Sequence, residues 1–362
     1  MPPHLFIDIS SHGLGHLAQA APILNTLREI VPTLRLTIRS GLPEARLRAR
    51  IAGEFTHLAQ RSDFGFVMLD AVRIDRVATA RAYRQAHADW PRRVAAEAAE
   101  LAALAPDLVL SDVAYLPLAG AALAGVPALA MCSLNWADLF AHFYAGEAWA
   151  PAIHAQILAA YRSAEAFLRL TPAMPMSALP NRRSIGPVAT LAADCRAALR
   201  ARLACPPEVR LVLLAFGGFD VALPIDRWPQ IPGVRWLVPQ SMAVARADMH
   251  AFEPLGFAFG DLLGSVDAVL TKPGYGTFTD AACNATPLLY VRRDDWPEQE
   301  CLIDWLHANT RCAEISCQQL VRGELEETLH ALWRQPPPAP PPPDGARQAA
   351  EIIAERLWAA AR

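Results

Sequence analysis

Short unbroken apolar runs alternate along this chain with longer stretches in which apolar residues recur every three or four positions. The first pattern belongs to strands buried on both faces, the second to helices that bury one stripe. Leu5 to Ile9 reads as a first strand. Leu17 to Ile30, with Leu17, Ala20, Ala21, Leu24 and Leu27 in helical register, reads as a first helix. Leu34 to Ile38 follows as a second strand, Phe66 to Leu69 as a third, and Thr79 to Leu104 as one long helical region rich in Ala and Arg. Asp107 to Ser111 is a buried strand ending at Asp112, and the next strand spans Pro127 to Met131. Repeated strand–helix–strand units of this kind predict a parallel sheet covered on both faces.

The rhythm stops at Thr171 to Pro180, where Pro172, Pro175 and Pro180 suggest a linker, and then restarts. Val209 to Ala215, Val234 to Val238, Ala268 to Thr271 and Leu288 to Val291 read as further strands with helices between them. Pro336 to Pro343 predicts a stiff polyproline connector, and Ala346 to Ala361 a closing amphipathic helix. The expected organisation is α/β: a doubly wound, Rossmann-like domain over residues 1–180, a second over 181–345 ending in the Pro-rich connector, and a helix over 346–362. Two such domains facing a cleft would present their glycine turns at the carboxyl ends of strands, where open α/β sheets bind ligands.

Composition narrows the partners. The 362 residues suffice for two domains, and 53% hydrophobic with 19% charged residues describes a globular protein with large cores. A net charge of −3 gives no reason to expect nucleic acid or an anionic membrane. No run reaches the roughly eighteen uninterrupted apolar residues of a transmembrane segment, and the chain enters its first strand with no leader-like region before it. The seven cysteines are scattered, and the closest pair, Cys312 and Cys317, lacks zinc or redox spacing. Reduced thiols and a cytoplasmic location are the expectation.

The chemistry concentrates on Thr271-Lys272-Pro273-Gly274-Tyr275-Gly276-Thr277, a strand-to-helix turn of the kind whose free N–H groups and helix dipole suit a phosphate. Among 33 Lys and Arg residues, Lys272 is the sole lysine. Arg serves wherever a generic positive charge suffices, so a compact ammonium here points to a tight phosphate contact; chance survival at a strand end is the plain alternative. Asp280, one turn past Gly276, is either an acceptor for ribose hydroxyls or a first-turn carboxylate favoured by the dipole. Arg292 and Arg293 end the next strand, to touch phosphate or sugar or to form a solvated charge cluster with Asp294 and Asp295. Glu298 and Gln299 follow as candidates for reading a donor sugar. Phe216-Gly217-Gly218-Phe219 supplies another glycine turn.

Near the N-terminus, Gly13-Leu14-Gly15-His16-Leu17-Ala18 formally fits the G-x-G-x-x-A dinucleotide fingerprint. The second strand lacks the acidic residue that holds an NAD ribose, while Arg39 would favour NADP. His16 is a general base by its ordinary pKa, or a residue that packs the turn. Asp112 either orients His16 and faces the acceptor side or caps the next helix. Asn135 and Trp136, with Phe140, His142, Phe143 and Tyr144, form either an aromatic rim on which a sugar stacks or part of the core.

His12-Gly13-Leu14-Gly15-His16, Lys272 to Thr277 and Val291-Arg292-Arg293-Asp294, together with Ser111-Asp112-Val113, Ser133-Leu134-Asn135-Trp136 and Phe216-Gly217-Gly218, resemble a glycosyltransferase-like family of the GT-B fold. One likeness is to the glycosyltransferase-like region of plant L-arabinokinases, and a remoter one is to the GlcNAc transferase of peptidoglycan synthesis. The resemblance covers nearly the whole chain in order. It implies two Rossmann-like domains, acceptor on the N-terminal side, nucleotide sugar on the C-terminal side, and a final helix folded back over the first domain. By position, Asp280 matches the acidic residue that holds the ribose, Gln299 a donor-sugar glutamine, and His16 the histidine of the N-terminal glycine loop. Pro297-Glu298-Gln299-Glu300 stands where the family's His-Gln signature would be.

The resulting expectation is a metal-independent hexosyl- or N-acetylhexosaminyltransferase that uses a nucleotide diphosphate-sugar, UDP-sugar favoured, as donor substrate, with no other cofactor. His16 and Asp112 are its catalytic candidates. Gly13, Gly15, Gly217, Gly218, Lys272, Gly274, Tyr275, Gly276, Thr277, Asp280, Arg292, Arg293 and Gln299 are its donor-site candidates. Asn135 and Trp136 would meet an acceptor, a small molecule or a lipid-linked glycan. A nucleotide-sugar 2-epimerase working through Asp112 and Asp294, a nucleotide-sugar binder without chemistry, and an NADP dehydrogenase are the competing readings.

Overall fold

A computed structural model describes residues 2–69, 73–216, 223–293 and 295–360. Seven strands form the first sheet: β1 (His4–Ile9), β2 (Arg35–Arg39), β3 (Thr56–Leu58), β4 (Leu108–Asp112), β5 (Ala128–Cys132), β6 (Ala166–Thr171) and β7 (Arg182–Pro187). Six form the second: β8 (Arg210–Ala215), β9 (Val234–Val238), β10 (Met249–Ala251), β11 (Ala268–Thr271), β12 (Leu288–Val291) and β13 (Cys312–Ile315). Their orders are β3-β2-β1-β4-β5-β6-β7 and β10-β9-β8-β11-β12-β13, with every pairing parallel. The apolar runs are explained by burial on both faces: every residue of β1, β4, β5, β11 and β12 is buried.

In both sheets the strand order reverses once, between β1 and β4 and between β8 and β11. The loops leaving such neighbours wind to opposite sides, which opens a crevice at the carboxyl ends of the strands. Register carries Ile9 beside Asp112 in the first sheet and Ala215 beside Thr271 in the second. The turn holding His16 and the turn holding Lys272 therefore each leave from a switch point.

The chain divides into two compact units, one running to Val188 and resuming at Asp344, the other spanning Ala189–Pro343. Thr171 to Pro180 is not a linker: it joins β6 to β7 inside the first unit, with Pro172, Met174, Met176 and Leu179 buried. Its prolines suggested a connector, but its apolar side chains belong to the core. The third strand is Thr56–Leu58; Phe66 to Leu69 contributes only an isolated bridge from Met68 to Ile74. Phe66 instead packs among Tyr83, Trp136 and Phe143. The long helical region is two helices, Arg76–His87 and Trp90–Leu104, because Pro91 in the first turn of the second cannot continue the first.

Within the second unit, Asp267 at the foot of β11 accepts from Arg196 (3.3 Å), Arg200 (3.0 Å), Arg210 (3.0 Å) and the Leu211 N–H (2.8 Å), which fixes β11 against β8. The helix Gly345–Ala360 belongs to the first unit and packs on the helix Leu14–Ile30 and on β7. Gln348 Oε1 accepts from Gly186 N–H at 2.9 Å, and Arg356 pairs with Glu165 at 3.0 Å. Gly345 lies so close to Gly186 that a Cβ there would run into the Gly186 carbonyl. Gly345→Ala is therefore expected to lower stability by about 1–3 kcal/mol, whereas Gly146→Ala, whose new Cβ meets nothing within 4 Å, should leave the thermal midpoint in place. Equal midpoints for the two variants would contradict this docking.

Candidate active site

The first group of chemical side chains gathers where β1 and β4 part. After β1 the chain turns through Ser10 to Gly13 and enters the helix Leu14–Ile30 with Gly13 extended at its N-cap. A Cβ on Gly13 or Gly15 would meet nothing within 4 Å. The fold therefore does not itself require glycine at either position, and the space above the turn stays open. His16 is one turn in and 6% exposed. Its Nδ1 lies 3.2 Å from Asp112 Oδ1 and 3.8 Å from Cys132 Sγ. Both partners reach His16 through Nδ1, and among the described residues Nε2 has no hydrogen-bond partner.

Burial disfavours the imidazolium of His16, but the charge and hydrogen bond of Asp112 outweigh it and raise the His16 pKa well above 6.5. Asp112 is fully buried, and burial raises its carboxyl while His16 opposes the rise. Asp112 does not cap a helix; the sequence's plain alternative for it is replaced by the pair with His16.

A second carboxylate, which the sequence did not single out, joins the group. Asp63 accepts from Ser10 Oγ at 3.1 Å and from Trp136 Nε1 at 2.8 Å. Burial and the nearby Asp8 push its pKa up to about 6, with His16 acting in the opposite direction. Asp63 lies on an irregular loop and has neither periodicity nor a motif around it. Its position depends on Gly65, whose φ of +57° and near contact with the His12 ring and Trp136 press this loop onto the turn after β1.

Several expected ligands of the first unit turn out to be structural. Trp136 is 0% exposed, edge-on to His12 and His16, so it offers no face on which a sugar could stack. Phe140 and Tyr144 are likewise buried, whereas His142 is exposed and Phe143 half-buried. Asn135 Oδ1 accepts from Asp138 N–H at 2.8 Å and caps the helix Trp136–Tyr144, while its Nδ2 is buried without a hydrogen-bond partner among the described residues. Arg39 is buried against Asp8 (2.6 Å), Glu97 and Glu100 (3.4 Å) and has no charge to spare for an NADP phosphate.

The second group gathers at the ends of β11 and β12. Gly274 is the N-cap of the helix Tyr275–Cys283 and no side chain caps it. Gly276 and Thr277 are half-buried in its first turn, and Tyr275 is buried. Lys272 precedes this turn, and Arg293 leaves the neighbouring strand. Burial, and then the charge of Arg293, pull the Lys272 pKa down to about 8, against the opposing pull of Glu298. Burial also lowers the Arg293 pKa, again with Glu298 opposing. The Arg293 guanidinium lies 4.4 Å from the Trp296 ring centroid, and its Nε is buried with no hydrogen-bond partner among the described residues. Two crowded cations beside an uncapped helix start form a positively charged corner that favours an anion.

Gln299 is committed elsewhere. Its Oε1 accepts from Arg293 N–H at 2.9 Å and its Nε2 donates to Arg293 O at 3.0 Å, so it positions Arg293 rather than pointing at a sugar. Arg292 is paired with Glu300 and with Glu314 (2.8 Å) on the surface, which removes it from the anion corner. Asp280 is half-buried and one carboxylate oxygen accepts from Thr190 N–H at 3.0 Å. Gly217, Gly218 and Asp294 lie outside the described residues.

No protein-family model matches the chain. Along 358 residues it is 24% identical to an L-arabinokinase of Arabidopsis thaliana, a match covering 96% of this chain but only 34% of that protein's length. Among solved structures, the calicheamicin glycosyltransferase CalG4 superimposes with a TM-score of 0.63 at 14% identity, covering 99% of this chain and 95% of the other. A UDP-glucosyltransferase from Polygonum tinctorium, described as capable of glucosylating indoxyl and solved in complex with 3,4-dichloroaniline, superimposes with a TM-score of 0.60 at 15% identity over 100% and 94% of the two chains. Two parallel, helix-covered sheets matched along both chains give this protein the GT-B fold of such glycosyltransferases.

Proposed function

We propose that the protein is a glycosyltransferase that moves a hexosyl or N-acetylhexosaminyl group from a nucleotide diphosphate-sugar, UDP-sugar favoured, to a hydroxyl acceptor. The observation that carries this reading is the pair Lys272 and Arg293: two crowded, half-buried cations beside a helix start with no side-chain cap, where the buried Arg293 Nε has no hydrogen-bond partner among the described residues. Two like charges held close together disfavour each other, and a diphosphate would relieve that repulsion while offering acceptors to the Arg293 Nε. The Arabidopsis relative and the Polygonum UDP-glucosyltransferase support a sugar-handling role and a uridine donor.

In this reading the acceptor oxygen attacks the anomeric carbon, the bond from that carbon to the diphosphate oxygen breaks, and the nucleoside diphosphate leaves with the electron pair. Lys272, Arg293 and the N–H groups after Gly274 stabilise that leaving charge, a task for which no divalent ion is then needed. In its neutral form His16 takes the acceptor proton on Nε2, and Asp112 on Nδ1 fixes the ring and stabilises the imidazolium that forms, the same contact that raises the His16 pKa. Gly13 and Gly15 leave the backbone above the turn open to a ligand. All seven cysteines are free, and no helix among the described residues is long and apolar enough to cross a membrane; both accord with work in the cytoplasm.

UDP at about one hundred times its dissociation constant should stabilise the protein by roughly 2.7 kcal/mol, and Lys272→Ala should abolish most of the thermal shift. Because the free-state Lys272 pKa is about 8, the ammonium is present at pH 7 and largely lost by pH 9.5. UDP affinity should therefore weaken on raising the pH, and the variant should lose that dependence. Failure of UDP, dTDP and GDP alike to shift wild type would remove the donor site from this account.

His16→Ala should keep the UDP shift while lowering sugar transfer by about 10²–10⁴-fold, measured as UDP released in the presence of an acceptor panel. Full transfer by the variant would rule His16 out as the base.

A further inference from the structure

The carboxyl ends of three adjacent strands and the helix above them bring together an imidazole, a carboxylate and a thiol. His16 comes from the helix after β1, Asp112 ends β4 and Cys132 ends β5; all three are buried, and one ligand atom of each lies within 4.8 Å of the others. The sequence concealed this set, because its members stand far apart and show no metal-ligand spacing.

We propose that His16 Nδ1, Asp112 and Cys132 Sγ form a binding site for one thiophilic divalent ion of the Zn²⁺ class. Zinc bound tetrahedrally at about 2.0–2.1 Å from nitrogen or oxygen and about 2.3 Å from sulfur separates N from O by about 3.3 Å and N from S by about 3.6 Å. The corresponding distances here are 3.2 Å and 3.8 Å. The ligands are already near their bound positions. Asp112 adds a second, independent sign: its Oδ2 is buried and has no hydrogen-bond partner among the described residues, a costly state that a cation would relieve.

Charge balance selects the ion. On binding, the Cys132 thiol releases its proton to solvent as the metal–sulfur bond forms, and nothing is oxidised or reduced. A thiolate, a carboxylate and a neutral imidazole then carry two negative charges, which cancel a divalent cation in a site with little water. A soft sulfur and a single nitrogen favour Zn²⁺ or Co²⁺; Mg²⁺, which demands six oxygen ligands, does not fit. The fourth tetrahedral position is left to solvent.

The bound ion would occupy the atoms that join His16 to Asp112. That makes the site inhibitory for transfer, a consequence that rests on the base role proposed above; the binding itself does not.

The test titrates the intact metal-free protein with Co²⁺. One equivalent should produce a thiolate-to-cobalt charge-transfer band in the near ultraviolet together with visible bands of tetrahedral strength. Zn²⁺ should bleach both, and Mg²⁺ in excess should not. Cys132→Ser should lose the ultraviolet band, and Asp112→Asn should weaken Co²⁺ binding beyond the roughly 10–100-fold typical of outer-shell changes. The exposed Cys317 and half-buried Cys195 and Cys301 are controlled by replacing all three with Ser, which should leave the spectrum intact. Absence of the charge-transfer band in wild type, its persistence in a folded Cys132→Ser, or its loss in the triple variant would each overturn the proposal. None of these readouts uses a nucleotide, so a failed donor site and a failed metal site remain separate results.

Discussion

A parallel sheet must cross over between strands, and the crossovers are right-handed. A chain that begins in the middle of such a sheet can cover both faces only by winding outward in one direction and then in the other. This chain does so twice, and each reversal leaves two strand ends whose loops diverge. The positions of both candidate sites follow from that geometric constraint. His16 and Asp112 face each other because the turn after β1 sits beside the end of β4. Lys272 and Arg293 crowd each other because β11 and β12 are neighbours.

The handling of charge separates scaffold from site. Asp267 is met by three arginines and a backbone N–H, and Arg39 by three carboxylates. Arg292 is spent on two surface glutamates. These clusters are matched internally, and they hold strands and loops together. The corner at Lys272 and Arg293 has two cations opposed by Glu298, with a buried N–H left over. A local excess of positive charge beside a helix start favours an anion.

The same distinction explains which candidate residues changed role. Gln299 and Asn135 have the chemistry to bind a sugar, yet their oxygens are taken by backbone N–H groups of their own surroundings. Trp136 has the ring to stack on one, yet it lies beneath His12 and His16 and carries Asp63 on its indole N–H. Residue type announces what a side chain can do. Whether it is free to do it depends on neighbours distant in sequence, and that information is absent from a local pattern.

The sequence by itself determined the two-sheet α/β architecture, because continuous apolar runs four to six residues long can be satisfied only by strands covered on both faces. It also marked both glycine turns, His16, Asp112 and the solitary Lys272. It did not show β6, nor the edge strands β3, β7, β10 and β13, whose exposed positions weaken the apolar signal. Nor could it show that Thr171 to Pro180 lies within the first unit and buries Pro172, Met174, Met176 and Leu179 there. Tertiary structure alone decided that Asp63 and Cys132 join His16 and that Arg293, not Arg292, shares the corner with Lys272. Secondary structure depends on spacings of two to four residues, which a chain displays openly. A site depends on which strand ends become neighbours, and that is fixed only when the sheets are wound.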